Sequence, residues 1–226
     1  MLTNPYQYQK LTRESTTRGR YYLTPDNKAL PSVTTILDKT KDKTFLIEWR
    51  KRVGEAEAQR ITTEAAGRGT TMHKFIENWL HQCEKPPGTN LVQQHAHKMA
   101  TVMIEQVLKP NLTEAWGNEI PLYYPELYAG TCDLAGVWNG RPAIMDFKQS
   151  NKPKKREWIE DYFCQLVAYA ECHNEVYGTN INEGVVLVCT KDLEPQIFEL
   201  NGAEWSKHQT KWWERVEKYY KDYHGA

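Results

Sequence analysis

The dipeptide Asn139-Gly140 constrains this chain more than any other feature. Asn-Gly between two strand-like runs is the strongest short-range hairpin signal, because both central residues of the tight turn need positive φ. The flanking runs are residues 131–138 and 143–148. Fixing the turn fixes the register: Trp138 faces Arg141, Val137 faces Pro142 and, further in, Asp133 faces Asp146. Pro142 then falls at a non-hydrogen-bonded position, where its missing N–H costs no ladder bond. The two aspartates fall at another such position, with Cα atoms about 4.5 Å apart. A bulge at Gly136 would shift this register by one residue.

Carboxylates facing each other across a ladder repel, and they settle by sharing a proton or holding a cation. Hard divalent ions such as Mg²⁺ take oxygen ligands of this kind. Lys148, two residues beyond Asp146, points to the same face. A lysine beside a metal and two carboxylates can orient or deprotonate a water and stabilise charge developing on phosphorus. The surroundings (Leu134, Ala135, Val137, Ile144, Met145, Phe147) are apolar, which sets the group at the edge of a core. The D-x-K triplet alone carries no weight. Asp26-Asn27-Lys28 is a second instance, and it reads as a solvated turn.

Other polar residues fall at suggestive spacings. His73 and Glu77 are i, i+4 on one helix face. Alone such a pair is a surface hydrogen bond or a satisfied core histidine; near two aspartates it completes a metal site. Glu119, on the strand before the hairpin, is either an exposed strand charge or a further acid reaching the site. Gln165 and Tyr169, also i, i+4, flank the apolar face of a later helix.

The pattern predicts one α/β domain over 1–226, a mixed β-sheet flanked by helices with a helical N-terminal half. Residues 31–110 read as mainly helical, 111–200 as the sheet core with the hairpin, and 201–226 as an amphipathic C-terminal helix. The first 30 residues read as irregular, with a turn at Pro25-Asp26-Asn27. Ser32 is the expected N-cap of a helix that turns Val33, Ile36 and Leu37 inward. A longer helix carries Phe45, Leu46, Trp49, Val53 and Ala56 at helical spacing. Gly67 and Gly69 are read as a break, with a new helix from Thr70. Strands are expected at 119–128 and 184–190, and strand, helix, strand over 143–190 implies a crossover unit. Lys+Arg equals Asp+Glu at 29 each, which argues against a wholly electrostatic duplex-coating protein but not against a local basic groove. Five cysteines without a C-x-x-C pair argue against a zinc ribbon or iron–sulfur cluster and fit buried free thiols in a reducing cytosol. The opening residues show neither a signal core nor a transit-like stretch, so a cytoplasmic setting is expected.

Taken in order, Gly130-Thr131-Cys132-Asp133, Asp146-Phe147-Lys148 and Gln165-Leu166-Val167-Ala168-Tyr169 resemble the motifs of the PD-(D/E)xK nuclease superfamily, RecB-like branch. Gly69-Thr70-Thr71-Met72-His73 with Glu77 resembles that branch's upstream helix. Pro31-Ser32-Val33-Thr34, Asp146-Phe147-Lys148-Gln149-Ser150 and Lys152-Pro153-Lys154 are similar to the mitochondrial genome maintenance exonuclease family and its bacterial and phage relatives. Cysteine rather than proline precedes the first aspartate. The resemblance implies a restriction-endonuclease-like core and Mg²⁺- or Mn²⁺-dependent hydrolysis of DNA phosphodiesters, with a single strand and a free end preferred and a 5′-phosphate left on the product. It implies Asp133, Asp146, the Phe147 carbonyl and His73 as metal ligands, with Glu77 a weaker one. Lys148 would position the attacking water, and Gln165 and Tyr169 would support the site. Without a transit-like stretch, the resemblance also implies a bacterium or phage-infected cell as the setting.

For DNA, Ser32 and Thr34 at a helix start could hold a phosphate on backbone N–H groups. Ser150, Lys152 and Lys154, with Lys155 and Arg156, form a basic loop; Arg50, with Lys51 and Arg52, lines either a channel or a solvated helix face. Trp158 or Tyr162 could stack bases. A recombination or replication protein is a possible partner. Two other readings stand beside this one: a RecB-like duplex-end exonuclease acting in recombination, and a nucleic-acid-binding module without turnover.

Overall fold

The computed structural model describes residues 2–223; Met1 and residues 224–226, the last of which were assigned to the C-terminal helix above, lie outside the described residues. Its centre is a five-stranded sheet of β4 (Leu112–Tyr124), β5 (Tyr128–Trp138), β6 (Arg141–Ser150), β7 (Gly184–Thr190) and β8 (Pro195–Leu200), in that spatial order. Neighbours are antiparallel except β6 and β7, which are parallel. Parallel pairing needs a crossover, and helix α6 (Glu160–Tyr177) provides it.

Successive strand residues enter opposite cores. Ile144, Val186 and Val188 pack with α6, α7 (Gly202–Tyr223) and α1 (Val33–Thr40) on one face. Met145, Val185 and Leu187 pack on the other with α3 (Glu55–Leu80) and α4 (Leu91–Val102). Beyond α4 the chain runs through a π-helical stretch, Met103–Leu108, and the short α5 (Lys109–Asn111). Burial on both faces is why β6 and β7 read as apolar runs. The same alternation turns Asp146 and Lys148 toward α6 and Phe147 toward α3.

The hairpin register is the expected one: Leu134↔Met145, Ala135↔Ile144, Gly136↔Ala143, Val137↔Pro142 and Trp138↔Arg141. Asn139 and Gly140 both have positive φ. Gly136 does not shift this pair. The irregularity lies on its other side, between β4 and β5, where a Cβ on Gly136 would collide with the Glu114 carbonyl oxygen. Ser32 caps α1, its Oγ accepting the Thr35 N–H at 3.0 Å. Helix α7 buries Trp205, Trp212, Val216 and Tyr219 as its spacing requires. Four of the five free cysteines are buried, and Cys83 is exposed. Among the described residues no helix is long and apolar enough to cross a membrane.

Several expectations need correction. Residues 3–11 are irregular as expected, but residues 12–31 form an antiparallel meander of β1 (Thr12–Thr16), β2 (Gly19–Leu23) and β3 (Ala29–Pro31). Strand β1 is exposed at every position, so it shows no apolar alternation to read. Helix α3 runs unbroken through Gly67 and Gly69. A helical glycine costs about 1 kcal/mol without ending the helix, and at Gly69 the missing side chain admits Gln149 of β6, whose Cγ would lie 3.2 Å from a Cβ. The break falls instead at Gly54 (φ +86°), which separates α2 (Thr44–Val53) from α3. Turned away there, α2 buries no residue, and Phe45, Leu46 and Ile47 face solvent. Strand β4 starts seven residues earlier than expected and ends four earlier. Strand β6 continues to Ser150, which shortens the basic loop.

Candidate active site

Five elements deliver the polar residues to one cleft of about 810 Å³. Helix α3 contributes His73 and Glu77, β4 Glu119, β5 Asp133, β6 Phe147 and Lys148, and α6 Gln165 and Tyr169. Asp146 is itself buried and bonded to Lys148.

The β5–β6 ladder ends at Leu134↔Met145. One residue further, Asp133 Oδ2 accepts the Phe147 backbone N–H at 2.8 Å. A side chain thus takes the place of the next ladder bond, and the two strands part where the acids sit. On its other side, Asp133 lies across from Glu119, between the pairs Asn118↔Leu134 and Ile120↔Cys132. Glu119 has φ +50°, a conformation that costs a non-glycine residue about 1–3 kcal/mol and gathers at functional sites. Asn118 braces Asp133 from behind, its Nδ2 donating to the Asp133 carbonyl at 2.6 Å.

His73 approaches from α3. Its Nε2–H donates to the Phe147 carbonyl at 2.8 Å, leaving Nδ1 3.7 Å from Glu119 Oε1 and 3.8 Å from Asp133 Oδ2. Burial disfavours the imidazolium, but the Asp133 carboxylate and the nearby Glu119 carboxylate outweigh it and hold the His73 pKa up at about 9. Burial raises the Asp146 pKa to about 6, with Lys148 pulling it down and Asp133 pushing it up. Lys148 Nζ is 2.7 Å from Asp146 Oδ1 and 3.3 Å from Gln165 Oε1. Burial works against its charge, yet Asp146 and Asp133 raise its pKa, so it is an ammonium. Gln165 Nε2 donates onward to Tyr169 Oη at 3.4 Å. Gly130 makes room for that tyrosine: a Cβ there would lie 2.7 Å from the Tyr169 ring.

These donors suit a divalent cation. Ligand atoms of His73, Glu119 and Asp133 all lie within 4.8 Å of one another. Neighbouring ligands on an octahedral ion at about 2.1 Å are roughly 3 Å apart, close to the separations around His73. Asp146 Oδ2 is buried and ion-paired with the Lys148 ammonium at 2.5 Å, beside the cluster of His73, Glu119 and Asp133 rather than within it. Carboxylates and a carbonyl with one imidazole are a hard, mixed O/N set. Glu77 lines the cleft but is paired with Lys74 at 2.8 Å and stands outside the ligand cluster.

Of the expected DNA contacts, Ser32 and Thr34 line the cleft. Ser150, Lys152, Lys154 and Arg50 do not. Ser150 is buried and donates to the Lys152 carbonyl at 2.6 Å; the Lys154 backbone is bound to Gln196; Arg50 is ion-paired with Glu55. Arg156 bonds Glu204 at 2.9 Å and covers the Phe163 ring. Trp158 is exposed with Lys155 over its ring, while Tyr162 faces Lys148. The Asp26–Lys28 decoy forms a 3.3 Å surface pair. Sequence reasoning missed Asn118 and the cleft-lining Arg13 and Arg20. It also missed Arg68, a buried α3 side chain that clamps Gln149 at 3.0 Å. No sequence signal marks any of the four, because each acts through a contact made only in the fold.

Comparison with known proteins bears out the family resemblance. The chain is 29% identical over 206 residues to the human mitochondrial genome maintenance exonuclease 1, a match covering 84% of this chain and 58% of the relative. It is 29% identical to the mouse protein of that name (84% and 59%) and 27% identical to that of Xenopus tropicalis (86% and 58%). The chain therefore spans a little under three fifths of the length of these relatives. A crystal structure from Eubacterium rectale, described as a candidate exonuclease, aligns with a TM-score of 0.48 at 16% identity, covering 69% of this chain and 64% of that one. That likeness is too distant to assign an activity. No protein-family model matches the chain.

Proposed function

We propose that this chain is a metal-dependent DNA exonuclease that hydrolyses phosphodiester bonds of single-stranded DNA from a free end. The observation that carries the reading is the meeting of Asp133, His73 and Lys148 in one cleft, with Asp146 bonded to that lysine. The relatives named as exonucleases support it, since their similarity extends across most of this chain.

Asp133, Asp146, His73 and the Phe147 carbonyl would hold Mg²⁺ or Mn²⁺, with Glu119 beside them. The ion would supply Lewis-acid stabilisation of the phosphoryl oxygens and a more acidic water. The chain's own groups do the rest. The Lys148 ammonium donates hydrogen bonds, so it orients the attacking water and offsets negative charge building on phosphorus rather than removing a proton. Asp146 and Gln165 hold that ammonium from two sides, and Tyr169 steadies Gln165. Ser32 and Thr34 give the cleft hydroxyls at the start of α1, where backbone N–H groups favour a phosphate.

The test compares linear single-stranded, linear duplex and circular single-stranded DNA, each with Mg²⁺, Mn²⁺ or chelator. The proposal requires metal-dependent loss of the linear single strand and survival of the circle. Preferential loss of duplex ends would favour the RecB-like alternative, and no digestion in any lane would remove the nuclease reading.

A further inference from the structure

The cleft is lined by two electrically distinct groups. His73, Glu119 and Asp133 gather in one cluster. Arg13 and Arg20 of the N-terminal meander line the same cleft. The pairs Arg13↔Tyr22 and Ser15↔Arg20 put both arginines on one face of the β1–β2 ribbon, as diagonal neighbours. Two cationic side chains on one face repel, and an anion between them offsets that repulsion. Three other basic residues line the cleft, and each has an acidic neighbour: Lys148 has Asp146, Lys74 has Glu77, and His73 has Asp133 and Glu119. Neither Arg13 nor Arg20 has an acidic partner among the described residues, and both are exposed. Glu14, the acid on β1, faces the other way.

This face is fixed in relation to the acids. Tyr22, two residues beyond Arg20 and on the same face, bonds Thr131 at 3.0 Å, and Thr131 lies two residues before Asp133. The Arg20 backbone is held as well: its N–H donates to Thr35 Oγ1 at 2.9 Å and its carbonyl accepts the Ser32 N–H at 2.8 Å. The arginines therefore stand on a braced ribbon. An unpaired guanidinium is well suited to phosphate, with a planar fork of donors that matches two oxygens.

We infer that Arg13 and Arg20 are the backbone-phosphate contacts of the substrate strand, so that the strand leaves the cluster of His73, Glu119 and Asp133 along the β1–β2 ribbon and not along the basic loop at 152–156. The inference rests on the nuclease reading above and adds the path of the strand. Contacts of this kind position the strand without reading its bases.

The experiment measures binding of a fluorescein-labelled 20-nucleotide oligo-dT by anisotropy, with chelator to stop hydrolysis, from 50 to 200 mM salt. Wild type is compared with Arg13→Ala, Arg20→Ala, the double variant and Lys152→Ala/Lys154→Ala, and thermal melts confirm folding. Each lost phosphate contact should lower the salt slope by roughly 0.7, so the double variant should bind roughly 25-fold more weakly at 0.1 M salt. The Lys152/Lys154 variant should bind like wild type. A second oligonucleotide of mixed sequence should show the same loss, as phosphate contacts require. Wild-type affinity and slope in the double variant, or a larger loss in the lysine variant, overturn the path while leaving the nuclease reading intact. Failure of the wild type both to bind and to cut DNA overturns both.

Discussion

The Asp133 carboxylate takes the Phe147 N–H at 2.8 Å, where a main-chain carbonyl would otherwise continue the ladder. One side chain thereby opens the hairpin at the level of the acids and holds the strand that carries Asp146 and Lys148. Structure and chemistry are joined at this residue, and substitution separates them. Asp133→Ala leaves a buried N–H unsatisfied, at a cost of about 1–3 kcal/mol, or roughly 3–10 °C in Tm for a domain of this size. Asp133→Asn keeps an oxygen acceptor and should melt near wild type. Both should lose metal-dependent cleavage. Thermal scans beside an oligonucleotide assay check the pair of outcomes.

Gly130 should be intolerant of any side chain. In Gly130→Ala the new Cβ would sit 2.7 Å from the Tyr169 ring, so the ring must move and Gln165 loses its neighbour. Overpacking of this sort costs about 1–3 kcal/mol. Pairing it with Tyr169→Leu, which trims the ring, should recover part of the lost Tm; a double variant no more stable than Gly130→Ala would refute the packing account.

Much of this arrangement is legible in the chain because it is local. Asn139-Gly140 needs no tertiary help to set a register, and that register holds as far as Leu134↔Met145. Helices α6 and α7 carry their apolar stripes in the open. What escapes the sequence depends on partners far along the chain. The meander has no apolar period because β1 faces water throughout. Gly69 reads as a breaker, although its role is to let β6 approach. The apolar residues of α2 imitate a core helix, but the turn at Gly54 aims them outward. Glu119 lies in a run of strand residues, and nothing in that run announces its positive φ.

The stability of α2 provides a direct check on that point. Phe45→Ser and Leu46→Ser should each change stability by no more than about 0.5 kcal/mol, as exposed positions do. Trp212→Ala, in the fully buried core, should cost about 3–5 kcal/mol. Denaturant titrations of the three variants give the comparison; a large loss in either α2 variant would show that its apolar face is packed.

Buried His173 makes stability depend on acidity. Thr179 donates to Asn174 and so accepts the Nδ1–H of His173 at 2.8 Å, while Nε2 receives the Tyr8 O–H at 3.1 Å. Burial lowers the His173 pKa from 6.5 to about 4. The unfolded chain therefore binds a proton over this window that the folded one refuses. The contribution is fully present above pH 6.5 and is lost as pH falls toward 4, reaching about 3 kcal/mol. Asp146, raised to about 6, runs the opposite way in the metal-free protein, losing stability as pH rises from about 4 to 6. The difference between wild type and His173→Gln isolates the histidine: their stability gap should shrink steadily from pH 7 to pH 4.5. A gap independent of pH would contradict the buried neutral imidazole.

The most direct test of the whole account is single-turnover cleavage of an end-labelled single-stranded oligonucleotide with Mn²⁺, using wild type, Asp146→Asn and Lys148→Ala. The account predicts stepwise shortening by wild type that chelator abolishes, and an intact label with either variant even though both still bind the strand. Cleavage by the variants at the wild-type rate, or by wild type in the presence of chelator, would contradict it.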